Sequence, residues 1–414
     1  MLAVTVAFVL LSMAYSLWWP AVVRHDRRYW MTPGDLWATV RTAHWVGWGA
    51  FSYVYDAHAG LVTLPAYALV LTPIVMLCSA LGLSEVSPHF AYGPPHPSAW
   101  LLVGPFSLLS VALALFGVDA LARAVGASPV RRRILAVAVA AAMWPTLADW
   151  GHPEDAVALG LAAYALVAAF NRKWTPAGWL LGAAIAMQLY VVLLVPLFLG
   201  MAGARKAGPL LARAGLAPGF FLVVVLVPNF ASSIRALLDQ PNFPQVDHAT
   251  PLSLIAPRLA NHAVAAGPGR VLAFVAAVGI GVLARKRRSE PLAIVWLAGA
   301  AMAARCVFES VIDPYYVMPA VVLVLVAACT ARGARWLLCA CAAATLTVVT
   351  YWHLDMWVYW GSMAALLGAM LAVTRPPHTW PAEVDPVRPA LPDELHAETL
   401  SIPFGVSGET LHSA

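Results

Sequence analysis

Residues 24–56 read RHDRRYWMTPGDLWATVRTAHWVGWGAFSYVYD and are a polar, aromatic exception in an otherwise apolar chain. The stretch directly follows the first apolar segment. Within it, Asp35 stands behind a Pro33-Gly34 turn and ahead of an amphipathic run that begins at Leu36. Three arginines lie just upstream: Arg24, Arg27 and Arg28. A carboxylate and a cationic cluster therefore meet in one loop, and we expect the remaining segments to build a cavity beneath it.

The composition is that of a membrane protein. The 414 residues are 61% hydrophobic and only 11% charged, and the mean hydropathy is +0.77. Because soluble domains carry about 25% charged residues, the sequence predicts an all-α polytopic membrane protein with the lipid bilayer as a partner. The net charge of +5 comes from short basic clusters between apolar runs. Such clusters are typical of cytoplasmic loops, and they do not indicate a nucleic-acid surface.

Apolar segments of about 20 residues, the length that a bilayer requires, recur along the chain. They predict about ten transmembrane helices in one domain, residues 1–374. The candidate spans are 2–23, 99–122, 134–149, 155–170, 214–233, 268–285, 290–308, 314–331, 336–352 and 357–373. Residues 375–414 contain several prolines and acids without apolar periodicity, so we expect a disordered cytoplasmic tail.

Two further apolar runs, 61–81 and 177–200, conflict with the positive-inside rule if each crosses the membrane once. We therefore expect both runs to enter the membrane and return on the same side. The residues that interrupt them are Pro65 and Pro73 in the first run, and Gln188 and Pro196 in the second. Broken helices are tolerated in a membrane where they line a cavity. The alternative is two ordinary tilted spans and an exception to the charge rule.

Neither cysteine nor histidine spacing indicates a metal site. All five cysteines lie in apolar segments, where buried thiols are expected. The loop histidines His58, His89 and His96 also lack the spacing of metal ligands. We therefore predict no metal and no disulfide.

Asp35 is the candidate general base. A carboxylate at the membrane surface can accept a proton from a hydroxyl group that attacks a substrate. Two alternatives remain open. The side chain could cap the helix that follows the Pro-Gly turn, and Asp26 or Asp56 could be the reacting acid instead.

Several arginines would lie outside the cell in the predicted topology, against the usual bias. A guanidinium group binds phosphate oxygens in bidentate fashion, so these residues could hold a lipid-linked phosphate. The candidates are Arg24, Arg27, Arg28 and Arg258. The alternative is that they extend to lipid headgroups or pair with nearby aspartates. For the cluster beside Asp35 we favour phosphate binding.

A second polar cluster occupies the turn Trp150-Gly151-His152-Pro153-Glu154-Asp155 between two apolar runs. A proline in the first helical turn, followed by two acids, fits ordinary helix initiation. Initiation does not require the histidine, and such a cluster is costly in a membrane unless it lines water. His152, Glu154 and Asp155 are therefore candidate substrate-binding residues.

A third polar cluster surrounds Asp313, and we expect Asp313, Tyr315 and Tyr316 to face the cavity. Arg305 and Glu309 precede it and stand four residues apart. On one helix face that spacing allows an ion pair, and we expect these two residues to pair.

These motifs together resemble the GT-C superfamily of glycosyltransferases that use polyprenyl-phosphate sugars. The nearest likeness is to glycosyltransferase family 87 and related mycobacterial mannosyl- and arabinofuranosyltransferases, over most of the chain to about residue 373. The motifs, in order, are Gly34-Asp35-Leu36, Gly47 through Tyr55-Asp56, Trp150 through Asp155, Gly182 to Tyr190, and Asp313-Pro314-Tyr315-Tyr316.

The resemblance implies a hexosyl- or pentosyltransferase of an actinobacterial plasma membrane, with an extracytoplasmic site. Its donor would be a lipid-linked sugar such as a decaprenyl-phosphate sugar, with mannose or arabinofuranose expected, and no cofactor would be needed. The acceptor would be an envelope glycolipid or glycan. Asp35 would be the base of an inverting transfer, and Gln188 would lie near the donor. Gln188 and Asp313 depart from the lysine and the histidine or glutamine that relatives often carry.

Two other functions fit some of these features. A transporter or flippase of lipid-linked sugars would share the broken helices and the outer cations, but it would not need Asp35 as a base. A membrane scaffold without activity would explain neither the interrupted runs nor the polar clusters.

Overall fold

A computed structural model describes residues 1–23, 30–55, 60–61, 63–84, 96–352 and 354–376, without the side chains of residues 19–23. Several predictions lie outside the described residues. They concern the cluster Arg24, Arg27 and Arg28, the rival acids Asp26 and Asp56, the loop histidines His58 and His89, and the tail beyond Pro376.

The described chain is mostly helical. In chain order its α-helices are α1 Leu2–Val23, α2 Leu36–Gly47, α3 Ala66–Ala80, α4 Trp100–Leu108, α5 Val111–Ala124, α6 Pro129–Trp144, α7 Pro153–Phe170, α8 Trp174–Met187, α9 Val195–Ala202, α10 Ala204–Leu226, α11 Phe230–Asp239, α12 Gly269–Lys286, α13 Pro291–Phe308, α14 Met318–Ala328, α15 Arg335–Val349 and α16 Met356–Thr374. Two short strands, β1 His248–Ala249 and β2 Val311–Ile312, pair antiparallel between α11 and α14.

Five helices are long and apolar enough to cross a membrane, judged by length and composition. They are Trp100–Ala124, which combines α4 and α5, and the helices α7, α10, α13 and α16. The other apolar stretches have 10–17 residues when α1 is counted only to Trp18, the last of its residues with a described side chain, short of the roughly 20 that a span requires. The architecture is therefore that of an all-α membrane protein, but the described residues contain five candidate spans and not the predicted ten or so.

The predicted spans are shorter because their apolar runs change conformation part-way. The run 134–149 leaves α6 at Trp144 and continues as a π-helix, Pro145–Trp150. The run 314–331 starts with a 3₁₀ turn, Pro314–Val317, before α14 begins. An apolar composition fixes neither the helix type nor its ends, which depend on prolines and on packing.

The two interrupted runs differ from each other. Pro65 lies at the N-terminal boundary of α3 and Pro73 lies inside it, yet α3 is continuous. The second run breaks at Gln188, whose backbone is extended (φ −146°, ψ 119°), and continues through a 3₁₀ segment, Leu189–Leu194, into α9. Pro196 lies in the first turn of α9, where the missing N–H costs nothing. The prediction that Pro73 and Pro196 interrupt a helix is therefore wrong, and the prediction that the second run breaks at Gln188 is confirmed.

Helix α14 lies at the centre of the bundle. All of its residues are buried, which explains why its sequence is apolar on every face. It packs against α5, α6, α13, α15 and α16. At its C-terminal end the Arg131 guanidinium donates to the carbonyl oxygens of Cys329 (2.8 Å) and Ala331 (2.6 Å). At its other end lie the polar clusters, so the bundle has one basic end and one end that carries the candidate site.

Candidate active site

The loop that precedes α2 is docked onto the turn that precedes α7. The Asp35 N–H donates to the carbonyl oxygen of Trp150 at 3.0 Å. Gly151 between these elements has a left-handed backbone (φ +85°), and a Cβ there would lie 2.6 Å from the Cβ of Pro33 and 2.8 Å from that of Leu36. Only glycine accepts both the conformation and the close approach. This contact places Asp35 beside His152.

His152 lies between two carboxylates. Its Nε2 is 3.0 Å from Asp35 Oδ2, and its Nδ1 is 2.9 Å from Glu154 Oε1. Burial by itself would lower the pKa of His152, but hydrogen bonds to Asp35 and Glu154 and the charges of both raise it well above its ordinary value. The imidazolium form therefore donates to both acids. About half of the Asp35 side chain is exposed (46%), whereas that of Glu154 is buried.

The Asp35 carboxylate does not cap α2. Asp35 occupies the N-cap position, but its side chain accepts no hydrogen bond from the first turn of that helix. It turns instead towards His152. The capping alternative that the sequence left open is therefore excluded.

The short sheet brings Asp247 and Asp313 together. Because His248 pairs with Ile312 in antiparallel register, the residue before β1 lies opposite the residue after β2. Burial, the adjacent Asp313 and the charge of Asp35 raise the pKa of Asp247 to about 9. Burial also raises the pKa of Asp313, although hydrogen bonds from Asp247 and Tyr315 oppose the shift. The two carboxyl groups therefore hold a proton between them near neutral pH.

Tyr315 joins this carboxyl pair to the histidine. Its ring stacks on that of His152, with 4.0 Å between the ring centroids and 29° between the planes. Its hydroxyl donates to Asp313. The acids Asp35, Glu154, Asp247 and Asp313 therefore surround one histidine and one tyrosine, His152 and Tyr315.

A cavity of about 410 Å³ opens on the other side of His152. Its walls come from α7, from the break between α8 and α9, from residues 240–242, from α12 and α13, and from the turn at Pro314–Val317. Its polar lining includes His152, Asp155, Gln188, Tyr190, Gln240, Asn242, Arg270, Arg305, Glu309, Tyr315 and Tyr316. Asp35 does not line it but lies at its rim, in contact with His152.

Two arginines reach the cavity. The Arg305 guanidinium lies over the rings of Tyr190 and Tyr316, at 4.4 and 4.3 Å from their centroids. Within the described part of the chain, no carboxylate is within 4.0 Å of it. Arg270 lies 3.5 Å from Glu309 Oε1 and also donates to Gln240. The direct contacts of the Arg305 guanidinium are therefore aromatic rings, while the charges of Glu309 and Asp155 act on it from beyond 4.0 Å.

The predicted pair of Arg305 and Glu309 is wrong. Helix α13 ends at Phe308, and Glu309 follows in an extended conformation (φ −77°, ψ 147°). Spacing of four residues brings side chains together only where both lie on one helix. Glu309 therefore turns towards Arg270 instead.

Two buried carboxylate oxygens of the cavity wall are incompletely hydrogen-bonded among the described residues. The Tyr190 hydroxyl donates to Asp155, but Asp155 Oδ2 has no further partner, and Glu309 Oε1 has only the 3.5 Å contact with Arg270. Buried polar atoms of folded proteins are usually paired. Their position in the wall of a cavity indicates a polar ligand.

The cavity also reaches an apolar surface. Val192, from the 3₁₀ segment after Gln188, and Phe274, from α12, both line it, yet they are 40% and 45% exposed. The opening between these two elements is therefore bordered by apolar side chains that face outward. An exposed apolar border of this kind suits a lipid-facing entrance.

The structure brings most of the predicted residues together. His152, Asp155, Gln188, Tyr315 and Tyr316 line the cavity, whereas Asp35, Glu154 and Asp313 adjoin it. Among the described candidates, Arg258 is exposed in the loop between β1 and α12 and does not line this cavity. Its role as a binding residue stays a prediction.

Sequence reasoning gave no role to Asp247 or to the Tyr190 side chain, and it treated Arg305 as half of an ion pair. The one available signal for Tyr190 was its position two residues after the helix break at Gln188. No pattern in the loop around Asp247 indicated that it would face Asp313.

No protein-family model matches this chain, and no curated protein matches it. In the part of the chain that the structure describes, no group of three or more histidine, cysteine, aspartate or glutamate side chains could hold a metal ion.

Proposed function

We propose that this protein is an integral membrane glycosyltransferase that moves a sugar from a polyprenyl-phosphate donor to an envelope glycolipid or glycan. The observation that carries the proposal is the contact between Asp35 and His152 at the rim of a cavity that contains the Arg305 guanidinium, which no carboxylate of the described residues contacts directly. Such a site combines a proton acceptor, a place for an anionic leaving group and an entrance for a lipid. Mannose and arabinofuranose remain the expected sugars from the resemblance described above.

The donor phosphate would bind at Arg305, with Arg270 as the second cation. Guanidinium groups hold phosphate oxygens in bidentate fashion. Arg305 has no carboxylate in direct contact among the described residues, and Tyr190 and Tyr316 hold its plane in place. A phosphate group would provide a direct counter-charge.

The polyprenyl chain would leave the cavity between Val192 and Phe274. The outward face of α12 beyond this opening continues with the exposed residues Val271, Val275, Val278 and Val282. An isoprenoid tail would therefore pass from the cavity directly onto an apolar surface, as a lipid substrate in a bilayer requires.

Asp35 would serve as the general base. The acceptor hydroxyl oxygen attacks the anomeric carbon from the face opposite the phosphate, and its proton passes to Asp35. The bond between the anomeric carbon and the phosphate oxygen breaks, and its electron pair leaves with the phosphate, which Arg305 stabilises. His152 would keep Asp35 oriented, and Glu154 would in turn fix the imidazolium.

The charge distribution supports an extracytoplasmic site. Helix α12 begins at the cavity and ends in Arg285-Lys286, and α14 begins at the cavity and ends beside Arg131. The positive-inside rule then assigns the basic end to the cytoplasm. In this arrangement α8 and α9 would form the re-entrant hairpin, with Lys173 and Arg205 at its two cytoplasmic ends.

The apolar opening also favours a second candidate, a transporter of lipid-linked sugars. Both functions need a cavity that admits a lipid from the side. Only transfer needs Asp35 to accept a proton, so this residue distinguishes them.

The test is Asp35→Asn in purified protein reconstituted in nanodiscs, with decaprenyl-phosphoryl mannose and decaprenyl-phosphoryl arabinofuranose as donors and envelope glycolipids as acceptors. We expect transfer to fall at least about 1,000-fold, with donor affinity nearly unchanged. Asp355→Asn is the matched control, because Asp355 is exposed and caps α16 through an interaction that asparagine preserves.

Transfer retained in Asp35→Asn would remove the base assignment. Movement of the donor lipids across liposomes by both proteins, without any transfer, would favour the transporter.

A further inference from the structure

Asp155 is a buried acid whose position the fold does not explain. It lies in the first turn of α7, is only 3% exposed, and its Oδ2 has no hydrogen-bond partner. Leaving a buried carboxylate oxygen unpaired costs free energy. Since Asp155 also lines the cavity, the missing partner can come from a ligand.

Helix capping does not account for this residue. An acid at this position often accepts a hydrogen bond from the backbone N–H of the N-cap residue. Here the N-cap residue is His152, and its N–H donates to the carbonyl oxygen of Thr146 at 2.8 Å. The capping donor is therefore already used.

The surroundings of Asp155 select the kind of ligand. The positive charges of His152 and Arg305 act on it, so a metal cation would be repelled by its neighbours. The carboxylate itself would repel a phosphate group. A neutral donor remains. A hydroxyl group can donate to the free Oδ2 of Asp155 or to the oxygen of the Tyr190 hydroxyl, whose own proton goes to Asp155.

This hydroxyl site adjoins the phosphate site. The Tyr190 ring that presents the hydroxyl is the ring on which Arg305 lies. A sugar linked to a phosphate at Arg305 would therefore extend along Tyr190 towards Asp155. Gln188 is buried in the same wall and lies two residues before Tyr190.

We infer that Asp155 and Tyr190 are specificity-determining residues that bind a hydroxyl group of the donor sugar. The inference rests on the proposed function, because it takes the phosphate at Arg305 as the anchor of the donor. It assigns recognition of the sugar to a pair of side chains distinct from Asp35 and from the phosphate-binding arginines.

The test compares two lipids that differ only in the sugar. Equilibrium dissociation constants are measured in nanodiscs for decaprenyl phosphate and for decaprenyl-phosphoryl mannose or arabinofuranose. We expect wild-type protein to bind a sugar-bearing lipid more tightly than the bare phosphate. Asp155→Asn should weaken binding of the sugar-bearing lipid about tenfold, because a charged acceptor is lost. Binding of decaprenyl phosphate should change by less than about twofold.

Tyr190→Phe provides a second, independent variant. It keeps the ring under Arg305 and removes only the hydroxyl, so it should weaken binding of the sugar-bearing lipid about threefold or more and leave the bare lipid unaffected. Gel filtration and thermal unfolding of both variants check that they fold.

Equal weakening for both lipids in both variants would overturn the inference, since the residues would then act on the phosphate or on the fold. Unchanged binding of the sugar-bearing lipid would also overturn it. Failure of the wild-type protein to bind either lipid would overturn the proposed function itself, and this inference with it.

Discussion

The two ends of the bundle hold their charges in opposite ways. At the basic end, Asp119 is paired with Arg132 Nε at 2.7 Å and with Arg123 at 3.2 Å. At the other end, Arg305 has aromatic neighbours but no ion pair among the described residues, and Asp155 Oδ2 has no partner. Charges buried in a low dielectric are normally neutralised locally. We call a cluster closed when its charges are paired within the protein, and such a cluster stabilises the fold. An open cluster contains charged atoms without a direct partner, which indicates that a ligand completes it.

The largest expected effect comes from substituting glutamine for one arginine at each end of the bundle. Arg305→Gln should lower the affinity for decaprenyl-phosphoryl sugars about 100-fold, because two charge-assisted bonds to phosphate are lost. Its effect on stability should be small. Arg132→Gln should do the reverse, lowering the free energy of unfolding by about 1–3 kcal/mol while donor affinity stays within about twofold. Thermal unfolding and equilibrium binding, measured on both variants, check the comparison.

Loss of donor binding in Arg132→Gln, or wild-type affinity in Arg305→Gln, would show that the difference between the closed and the open cluster has no functional meaning.

A smaller effect is expected from substituting alanine for either of two glycines whose backbone φ angles are nearly equal. Gly151 (φ +85°) at the site is in contact with Pro33 and Leu36, whereas Gly126 (φ +84°) at the basic end has open space where a Cβ would lie. Gly126→Ala should cost about 1 kcal/mol from the left-handed conformation alone. Gly151→Ala adds a clash that pushes Asp35 from His152, so transfer should fall about tenfold or more.

The measurement is transfer per folded protein in both alanine variants, alongside their thermal stability. Equal transfer in the two would mean that the docking of the first loop onto the α7 turn does not position Asp35.

Most of what the sequence predicted correctly is local. Apolar composition indicated a helical membrane protein, and the Gly151-His152-Pro153 turn marked the start of α7. Asp35 was singled out by its place after the first apolar segment, and its role as the base stays a prediction. Each of these signals lies within one short stretch, where conformation and residue type are directly linked.

The incorrect or missing predictions concern contacts between distant segments. Asp247 meets Asp313 through strands of two residues each, too short to leave a period in the sequence. Arg305 was paired with Glu309 because the helix was expected to continue beyond Phe308. The number of spans was too high because hydropathy does not register changes of helix type within an apolar run.

The last expected effect concerns pH, and it arises from the carboxyl pair at the open end. Burial beside Asp313 and Asp35 raises the pKa of Asp247 from 3.8 to about 9. Below pH 4 both the folded and the unfolded protein hold the proton. Between about pH 4 and pH 9 only the folded protein retains it, so the free energy of unfolding decreases as pH rises, by at most about 1.4 kcal/mol per pH unit.

Asp247→Asn should therefore make thermal stability decline less steeply between pH 5 and pH 9 than in the wild type, whereas Asp355→Asn should leave the decline unchanged. Some decline should remain in Asp247→Asn, because the pKa of His152 is also raised and its stabilisation is likewise lost as pH increases. Unfolding curves recorded across this pH range would show it. An identical slope in the wild type and in Asp247→Asn would mean that the pair facing each other across β1 and β2 shares no proton. The open end would then differ from the closed one only through Arg305 and Asp155.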